Sequence, residues 1–299
     1  MAKKFISMRN LKFLIYEVFD ADGLTTYDYY SQHNRKMFDM VLDAGMKLAV
    51  KLLFPLFEEM DRKPPEFEGG RVKVHPLVRE LMKQYGEGGW IASTFSEAFD
   101  GEQLPVLVAN CCNMMFSAAN YSGAAFPGLA AGAARLITNF GSQELIDRYV
   151  AKMLAGEWQG TMALTEPQAG SSLSDITTIA EPSEAGHYIV KGQKIFISAG
   201  DHDGVDNVVH LMLAKIPGGP PGVKGISLFV VPKYRADANG KLVFNDVAVS
   251  QIYHKMGYRG CPITELAIGE KDDCHGYLVG EAHKGLFYMF QMMNEERIG

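Results

Sequence analysis

The spacing of apolar residues predicts helices in the first half of the chain. Between residues 30 and 60, apolar side chains recur every three or four positions, which is typical of one face of an amphipathic helix. A shorter helix is predicted over 77–85, and the dense apolar and small residues of 104–136 indicate closely packed helices at the centre of a bundle. We therefore expect an N-terminal helical bundle domain over 1–158. The predicted buried face of the first long helix consists of Met37, Val41, Ala44, Leu48, Leu52 and Phe57.

The pattern changes from residue 159 onward, where short β-rich runs alternate with clusters of glycine and proline. Such runs predict the strands of an antiparallel barrel or sandwich. They lie at 161–165, 177–180, 188–190, 194–198, 208–214, 226–231, 242–249 and 264–268. The middle β-domain is expected over 159–281, and a helical pattern returns over 282–299 without a stop signal. Together these patterns predict an α+β fold whose C-terminal helical domain is truncated.

Composition narrows the classes of protein that fit. The chain has 299 residues, is 47% hydrophobic and carries a formal net charge of −6, which argues against binding to nucleic acid. No apolar run approaches the roughly 20 residues of a membrane span, so we expect a cytoplasmic protein. The four cysteines lack C-x-x-C spacing and are expected to be buried free thiols. No metal site is expected, because His202, Asp203, Asp206 and His210 lack a recognised ligand spacing.

Two segments are the strongest candidates for chemistry. The first, Met162-Ala-Leu-Thr-Glu-Pro-Gln-Ala-Gly-Ser-Ser172, begins as an apolar strand, turns at Pro167 and ends in hydroxyls. Backbone N–H groups at such a strand end suit a flat, polar ligand that carries an anion. The second, Gly192-Gln-Lys-Ile-Phe-Ile-Ser198, places an aromatic and an aliphatic side chain beside a hydroxyl. A planar ring could therefore lie against carbon while its nitrogens find donors.

These two segments resemble the flavin-binding signature of the acyl-CoA dehydrogenase family. The resemblance runs from about residue 104 to the end of the chain, and includes Lys255-Met-Gly-Tyr-Arg259 and Leu278-Val-Gly-Glu281. The long N-terminal region and the ending Met-Asn-Glu-Glu-Arg-Ile look most like the branch that contains 3-methylmercaptopropionyl-CoA dehydrogenases. The resemblance implies a helical domain, a β-domain and a C-terminal four-helix domain.

The same resemblance implies that FAD is the cofactor and that the reaction is α,β-dehydrogenation of an acyl-CoA thioester. The implied cofactor-binding residues are Met162, Leu164, Thr165, Gly170, Ser171, Phe196, Ile197 and Ser198. Leu164 and Thr165 would meet the pyrimidine end of the flavin, Gly170 and Ser171 its diphosphate, and the last three its ring. The family usually has Trp where Phe196 stands and Thr where Ser198 stands.

The resemblance also suggests a catalytic base. A minority of the family place a carboxylate immediately before an Arg on the first helix of the third domain, and here that position is Glu296, followed by Arg297. Asn294, Arg297 and Ser171 are then implied contacts for the substrate. Two alternatives remain open: Glu296 is a solvated helix residue, or the base lies in the missing domain.

Two functions from different classes therefore fit the sequence. The first is an FAD-dependent acyl-CoA dehydrogenase that forms a homo-oligomer and passes electrons to an electron-transfer flavoprotein or a similar acceptor. In that case this chain by itself is expected to be inactive and to bind FAD weakly. The second is a non-catalytic truncated homologue that acts as a subunit or assembly partner.

Overall fold

The N-terminal half of the protein is helical in the computed structural model, which describes residues 5–298 and only the backbone of Ile298. Short 3₁₀ and π turns extend several of the helices. The α-helices are α1 (Met8–Phe13), α2 (Arg35–Leu48), α3 (Phe57–Arg62), α4 (Val78–Glu87), α5 (Val106–Phe140), α6 (Gln143–Leu145), α7 (Ala151–Leu154) and α8 (Gly285–Ile298).

The helix predicted over 30–60 is interrupted, and its buried face lies beside the predicted one. A π turn at Ala49–Leu53 and a 3₁₀ turn at Phe54–Leu56 separate α2 from α3. The buried face consists of Phe38, Leu42, Gly45, Ala49, Leu53, Leu56 and Met60. Met37 and Phe57, which the pattern placed inside, are exposed. Two neighbouring apolar stripes competed for burial, and packing against α5 decided between them.

Helix α5 runs through the centre of the helical part and bends at Asn120, whose φ and ψ of −167° and 95° are not helical. The Asn120 side chain compensates for the bend: its Nδ2 donates to the carbonyl of Leu53 at 3.2 Å, and its Oδ1 accepts from the N–H of Gly123 at 3.2 Å. The small residues of the second half let the helix approach a strand closely. A Cβ on Gly160 would lie only 2.5 Å from that of Ala133.

The second half is β-rich, as predicted. The strands are β1 (Glu66–Glu68), β2 (Arg71–Lys73), β3 (Trp158–Ala163), β4 (Ile179–Pro182), β5 (Tyr188–Ser198), β6 (Asn207–Lys215), β7 (Ile226–Pro232), β8 (Tyr234–Ala236), β9 (Leu242–Phe244), β10 (Val247–Ile252), β11 (Ile263–Ile268) and β12 (His275–Leu278). The first two form a separate hairpin, as do β8 and β9.

The main sheet is mixed, so the prediction of an antiparallel barrel or sandwich is corrected. Its strand order is β10-β11-β5-β12-β7-β6-β3, with β4 paired to β5 and β6. Strand β3 runs parallel to β6 along its whole length, from Trp158 opposite Asn207 to Ala163 opposite Met212. Strand β4 also meets β6 in parallel, while the other pairs are antiparallel. Apolar runs locate strands but carry no information about direction, which is why the sequence missed this.

Two further details affect the site. The runs 188–190 and 194–198 form one long strand, β5, which passes from β4 and β12 at one end to β11 at the other. Helix α8 packs against α5 and β7, so the returning helical pattern is confirmed.

All four cysteines are buried and free, as expected. Of the helices within residues 5–298, none combines the length and apolar character needed to cross a bilayer.

Candidate functional site

The two candidate segments meet at one edge of the sheet. The chain leaves β3 at Ala163 and continues through Leu164 and Thr165, alongside the second half of β5. There the backbone N–H of Ile195 donates to the carbonyl of Thr165 at 2.8 Å. Gly170 returns to the same place, because a Cβ on it would lie 3.4 Å from Cγ2 of Thr165. The two segments, which are far apart in sequence, are thus joined by a hydrogen bond between main-chain groups.

A buried ion pair lies beneath this junction. The ammonium of Lys194 lies 2.8 Å from Oε1 of Glu166 and also donates to the carbonyl of Leu164 at 3.1 Å. The two side chains are 0% and 1% exposed. Burial acts to raise the pKa of Glu166, but the charge of Lys194 and hydrogen bonds from Thr177 and Thr178 outweigh it and lower the pKa to about 2. The pair is therefore ionised in the folded protein.

The turn after Glu166 presents hydrogen-bond donors to solvent. Glu166 and Ala169 exchange backbone hydrogen bonds of 2.8 and 3.0 Å, which closes a tight turn around Pro167. The next two residues, Gly170 and Ser171, are exposed. Within the described part of the chain, no group accepts from either backbone N–H. Free donors beside a glycine, where a ligand can approach the backbone closely, fit a phosphate group.

The aromatic residue of the second segment stands at the surface. Phe196 is 56% exposed and has a φ of +59°, so its side chain is directed by an unusual backbone conformation. Its ring lies 4.7 Å from that of Tyr253, at an angle of 49°. Ile197, in contrast, is buried, and its carbonyl accepts from Oγ1 of Thr264 at 3.2 Å. An exposed ring at the edge of a sheet offers an apolar face to a planar ligand.

Ser198 lies beside Tyr258, a residue of the Lys255–Arg259 motif to which the sequence gave no role, and Tyr258 in turn packs on Tyr121. Ser198 pairs with Ile263 in the ladder between β5 and β11, and a hydrogen bond from its hydroxyl acts to lower the pKa of Tyr258. The ring of Tyr258 meets that of Tyr121 edge to face, 5.2 Å between centroids. Burial raises the pKa of both phenols, and the charge of Glu296 raises them further. The candidate base therefore acts electrostatically on the groups next to Ser198.

Tyr121 directly follows Asn120, the residue at which α5 bends. One residue further on, the hydroxyl of Ser122 accepts a hydrogen bond from the backbone N–H of Gly260 at 3.2 Å. A Cβ on Gly260 would lie 2.7 Å from Cβ of Met60, so only glycine allows the loop to approach so closely. The loop that carries Tyr258 is thereby fixed to the helical part of the protein.

The remaining candidates on α8 have a different environment. The Glu296 side chain is solvent-exposed, and partial desolvation by the surrounding protein, with a smaller effect of the neighbouring charge of Glu295, raises its pKa. Arg297 donates to the Oδ1 of Asn294 at 3.0 Å. Among the described residues, neither Asn294 nor Arg297 is hydrogen-bonded to the 162–171 or 196–198 segments. Met162 faces the main hydrophobic core, against which it is partly buried.

The four polar residues at 202–210, where no metal site was expected, have separate partners. Asp206 binds Arg79, Asp203 accepts from the N–H of Val74, and His210 bonds to Thr161 inside the sheet. Within the described residues, no group of three or more His, Cys, Asp or Glu side chains is placed to bind a metal ion.

Sequence reasoning used the motifs around Glu166 and Lys194 but gave these two residues no role. The sequence did offer a signal for this pair: Glu166 follows one apolar strand run, and Lys194 stands in another. A buried charge needs a partner of opposite charge, so the two could have been matched. Tyr258 stood in the Lys255–Arg259 motif but had no role assigned, whereas Tyr121 and Tyr253 carried no comparable signal.

Comparison with known proteins agrees with this arrangement. Residues 39–157 match the family described as acyl-CoA dehydrogenase, N-terminal domain, and residues 161–270 match acyl-CoA dehydrogenase, middle domain. In this chain, the two matched domains form a helical part packed on a mixed sheet, and the two polar segments meet beside β5. The chain belongs to the acyl-CoA dehydrogenase family.

Individual relatives support the same conclusion. A butyryl-CoA dehydrogenase of Syntrophomonas wolfei is 37% identical over 97% of this chain and 49% of its own length. A 3-methylmercaptopropionyl-CoA dehydrogenase of Ruegeria pomeroyi is 34% identical over the same shares of the two chains. The chain thus spans about half the length of the curated relatives it matches.

The fold has solved counterparts as well. An acyl-CoA dehydrogenase from Bacillus anthracis, whose structure was determined in complex with FAD, superposes with a TM-score of 0.70 at 24% identity. The match covers 89% of this chain and 41% of the Bacillus chain. At that identity the likeness establishes the fold.

Proposed function

We propose that this chain supplies the flavin-facing half of an FAD-dependent acyl-CoA dehydrogenase, which oxidises an acyl-CoA thioester between its α and β carbons. The observation that carries the proposal is the junction of Thr165 with Ile195. It brings an exposed aromatic ring, Phe196, and the free N–H donors of Gly170 and Ser171 to one edge of the sheet.

The residues at this edge suit the parts of FAD. Gly170 and Ser171 would hold the diphosphate through backbone N–H groups, with the Ser171 hydroxyl as a further donor to cofactor or substrate. Phe196 and Ile197 would bound the ring system, and Leu164 and Thr165 would meet its pyrimidine end. Ser198 would donate a hydrogen bond to the ring edge. Met162 supports this edge from the core side.

When bound, FAD supplies the acceptor for the hydride that leaves the β carbon. The protein's task is to hold the thioester in place, exclude water and remove the α proton. Glu296 is the proposed base because it stands immediately before Arg297 on α8, and its raised pKa, from partial desolvation and the charge of Glu295, suits a proton acceptor. Asn294 and Arg297, which lie within one turn of Glu296 on α8, are proposed contacts for the acyl-CoA.

The proposal extends to the setting in which the enzyme acts. We place it in the cytoplasm as a homo-oligomer, with electrons leaving the flavin to an electron-transfer flavoprotein or a similar carrier. The chemistry of the relatives, one acting on butyryl-CoA and one on 3-methylmercaptopropionyl-CoA, supports a short acyl chain as the substrate.

The test uses the product of the complete reading frame, purified in the presence of FAD. Acyl-CoAs of increasing chain length are added without oxygen, and the visible absorbance of the flavin is followed. Bleaching by at least one acyl-CoA is the expected result. A protein that binds FAD but is bleached by none contradicts the proposal.

A protein that takes up no FAD and co-purifies in fixed ratio with a second, related polypeptide would instead favour the non-catalytic subunit. The Ser198→Ala variant is the matched variant for the site, since it removes one hydroxyl from a half-buried position and leaves the strand intact. It should retain FAD and bleach more slowly.

A further inference from the structure

We propose that Glu166 and Lys194 are positioning residues for the cofactor: they hold the donor-bearing turn in place and do not contact the ligand themselves. The inference rests on the proposed function and assigns these two residues a role in it. It follows from the way one buried carboxylate connects the loop 166–178 to β5.

The first stretch is the loop that contains the free donors. The Oε2 of Glu166 accepts from the N–H and hydroxyl of Thr177 at 2.6 and 2.9 Å, and from the amide of Gln168 at 2.8 Å. Its Oε1 accepts from the N–H and hydroxyl of Thr178 at 3.1 and 2.6 Å. Both ends of the loop 166–178 are therefore fixed to one side chain, and Gly170 and Ser171 lie between them.

The second connection runs to β5, the strand that carries Phe196 and Ser198. Lys194 donates to Glu166 and to the carbonyl of Leu164. The next residue, Ile195, donates its N–H to the carbonyl of Thr165. Both carbonyls are thereby held by donors within the protein. Among the described residues, the N–H groups of Gly170 and Ser171 have no acceptor, which suits a diphosphate that is rich in acceptors.

The third observation explains the glycine of the Gly-Gln-Lys motif. A Cβ on Gly192 would lie 2.8 Å from the Cα of Thr178, which belongs to the backbone and cannot rotate away. The close approach of β5 to Thr178 is what brings this threonine within reach of Glu166. Glycine, glutamate and lysine of the two motifs thus form one unit.

A buried ion pair is a poor device for stability alone, because the cost of removing two charges from water is large. Replacing both charges by neutral groups of similar size is often harmless to the fold, whereas leaving one charge unpaired is not. A neutral pair would lose the directional contacts that join the loop 166–178 to β5. Stability and cofactor affinity should therefore respond differently to substitution of one partner and of both.

The experiment compares Lys194→Met, Glu166→Gln and the double variant in the complete protein. Thermal unfolding reports the fold, and FAD dissociation constants and the flavin visible spectrum report the site. Lys194→Met leaves a buried carboxylate unpaired and should lower both stability and FAD affinity. The double variant should recover much of the melting temperature, yet bind FAD about tenfold more weakly than wild type, as expected for the loss of one oriented buried contact.

The chain offers a matched control in a second shielded ion pair of the same chemistry. Lys233 lies 2.6 Å from Asp201, and the two side chains are 17% and 5% exposed. The same three changes there, Lys233→Met, Asp201→Asn and both, should alter the melting temperature and leave FAD affinity within about twofold, since the recorded side-chain contacts of this pair do not reach residues 162–171 or 192–198.

The outcomes separate this inference from the proposed function. If FAD affinity follows the melting temperature alike in both sets, or returns to the wild-type value in the Glu166→Gln/Lys194→Met variant, the positioning role is wrong and the proposed function stands. If the wild-type protein binds no FAD, the proposed function is contradicted and the inference fails with it.

Discussion

The hydroxyl of Tyr253 donates to the carboxylate of Glu265 while its ring packs on that of Phe196. Glu265 also accepts from Gln193 at 2.5 Å, Gln251 at 2.5 Å and Ser250 at 3.0 Å. It occupies the point at which the register shifts in both ladders of β11. One carboxylate therefore fills an irregularity in the sheet and fixes the aromatic neighbour of the exposed ring.

The substitution Glu265→Ala should destabilise the protein by about 0.5–1.5 kcal/mol, because it removes the acceptor that four side chains share, while water can reach the exposed donors. Urea unfolding followed by circular dichroism measures the change. Glu270→Ala, at an exposed position two residues beyond β11, is the control and should leave the unfolding midpoint unchanged. Equal midpoints for the two variants would contradict the role given to Glu265.

Glu296→Gln should slow dehydrogenation in the complete protein by at least about a hundredfold, the usual contribution of a general base. FAD content should not change. Stopped-flow bleaching of the flavin by acyl-CoA measures the rate. Glu281→Gln, an exposed residue paired with Lys284, serves as the control. A Glu296→Gln rate within a few-fold of wild type would show that the base lies elsewhere.

Two buried histidines should make stability fall in mild acid. Burial, with a smaller effect of Lys233, lowers the pKa of His202 and of His210 to about 3. The unfolded chain binds protons below about pH 6.5, but the folded protein does not until the pH approaches 3, so acid favours unfolding. Each histidine contributes a slope of up to about 1.4 kcal/mol per pH unit in that window.

The raised pKa values of Glu295 and Glu296 act in the opposite direction, so the histidine effect is isolated by difference. His210→Gln keeps a polar partner for Thr161 and removes the titrating ring. The free energy of unfolding in urea, measured from pH 7 to 5, should fall less steeply in this variant than in wild type. Parallel profiles would rule out a neutral buried His210.

Two glycines should respond to alanine with opposite signs. Gly192→Ala forces a methyl group against the backbone of Thr178 and should lower the melting temperature. Gly128→Ala lies on the exposed side of α5 with nothing within 4 Å, and should stabilise by about 0.5–1 kcal/mol through helix propensity. Differential scanning calorimetry of both variants tests this. A stable Gly192→Ala protein would mean that the strand and Thr178 can separate freely.

The comparison of sequence and structure shows which local rules were sufficient. The helical first half, the β-rich second half and the return to helix near residue 283 follow from apolar spacing and turn residues, and the structure confirms them. The family was also readable, because the motif residues 162–172 and 192–198 are contiguous. In contrast, the buried stripe of α2 was wrong by one position, since burial depends on the partner helix.

The sequence by itself determined the order of elements and the two segments that form the candidate site, because short-range patterns and glycine or proline punctuation act over a few residues. The tertiary structure alone decided that β3 runs parallel to β6, that Lys194 pairs with Glu166, and that Tyr121 packs on Tyr258. These relationships join residues separated by tens of positions. They are fixed by chain crossing, burial of charge and a helix kink, none of which leaves a periodic mark in the sequence.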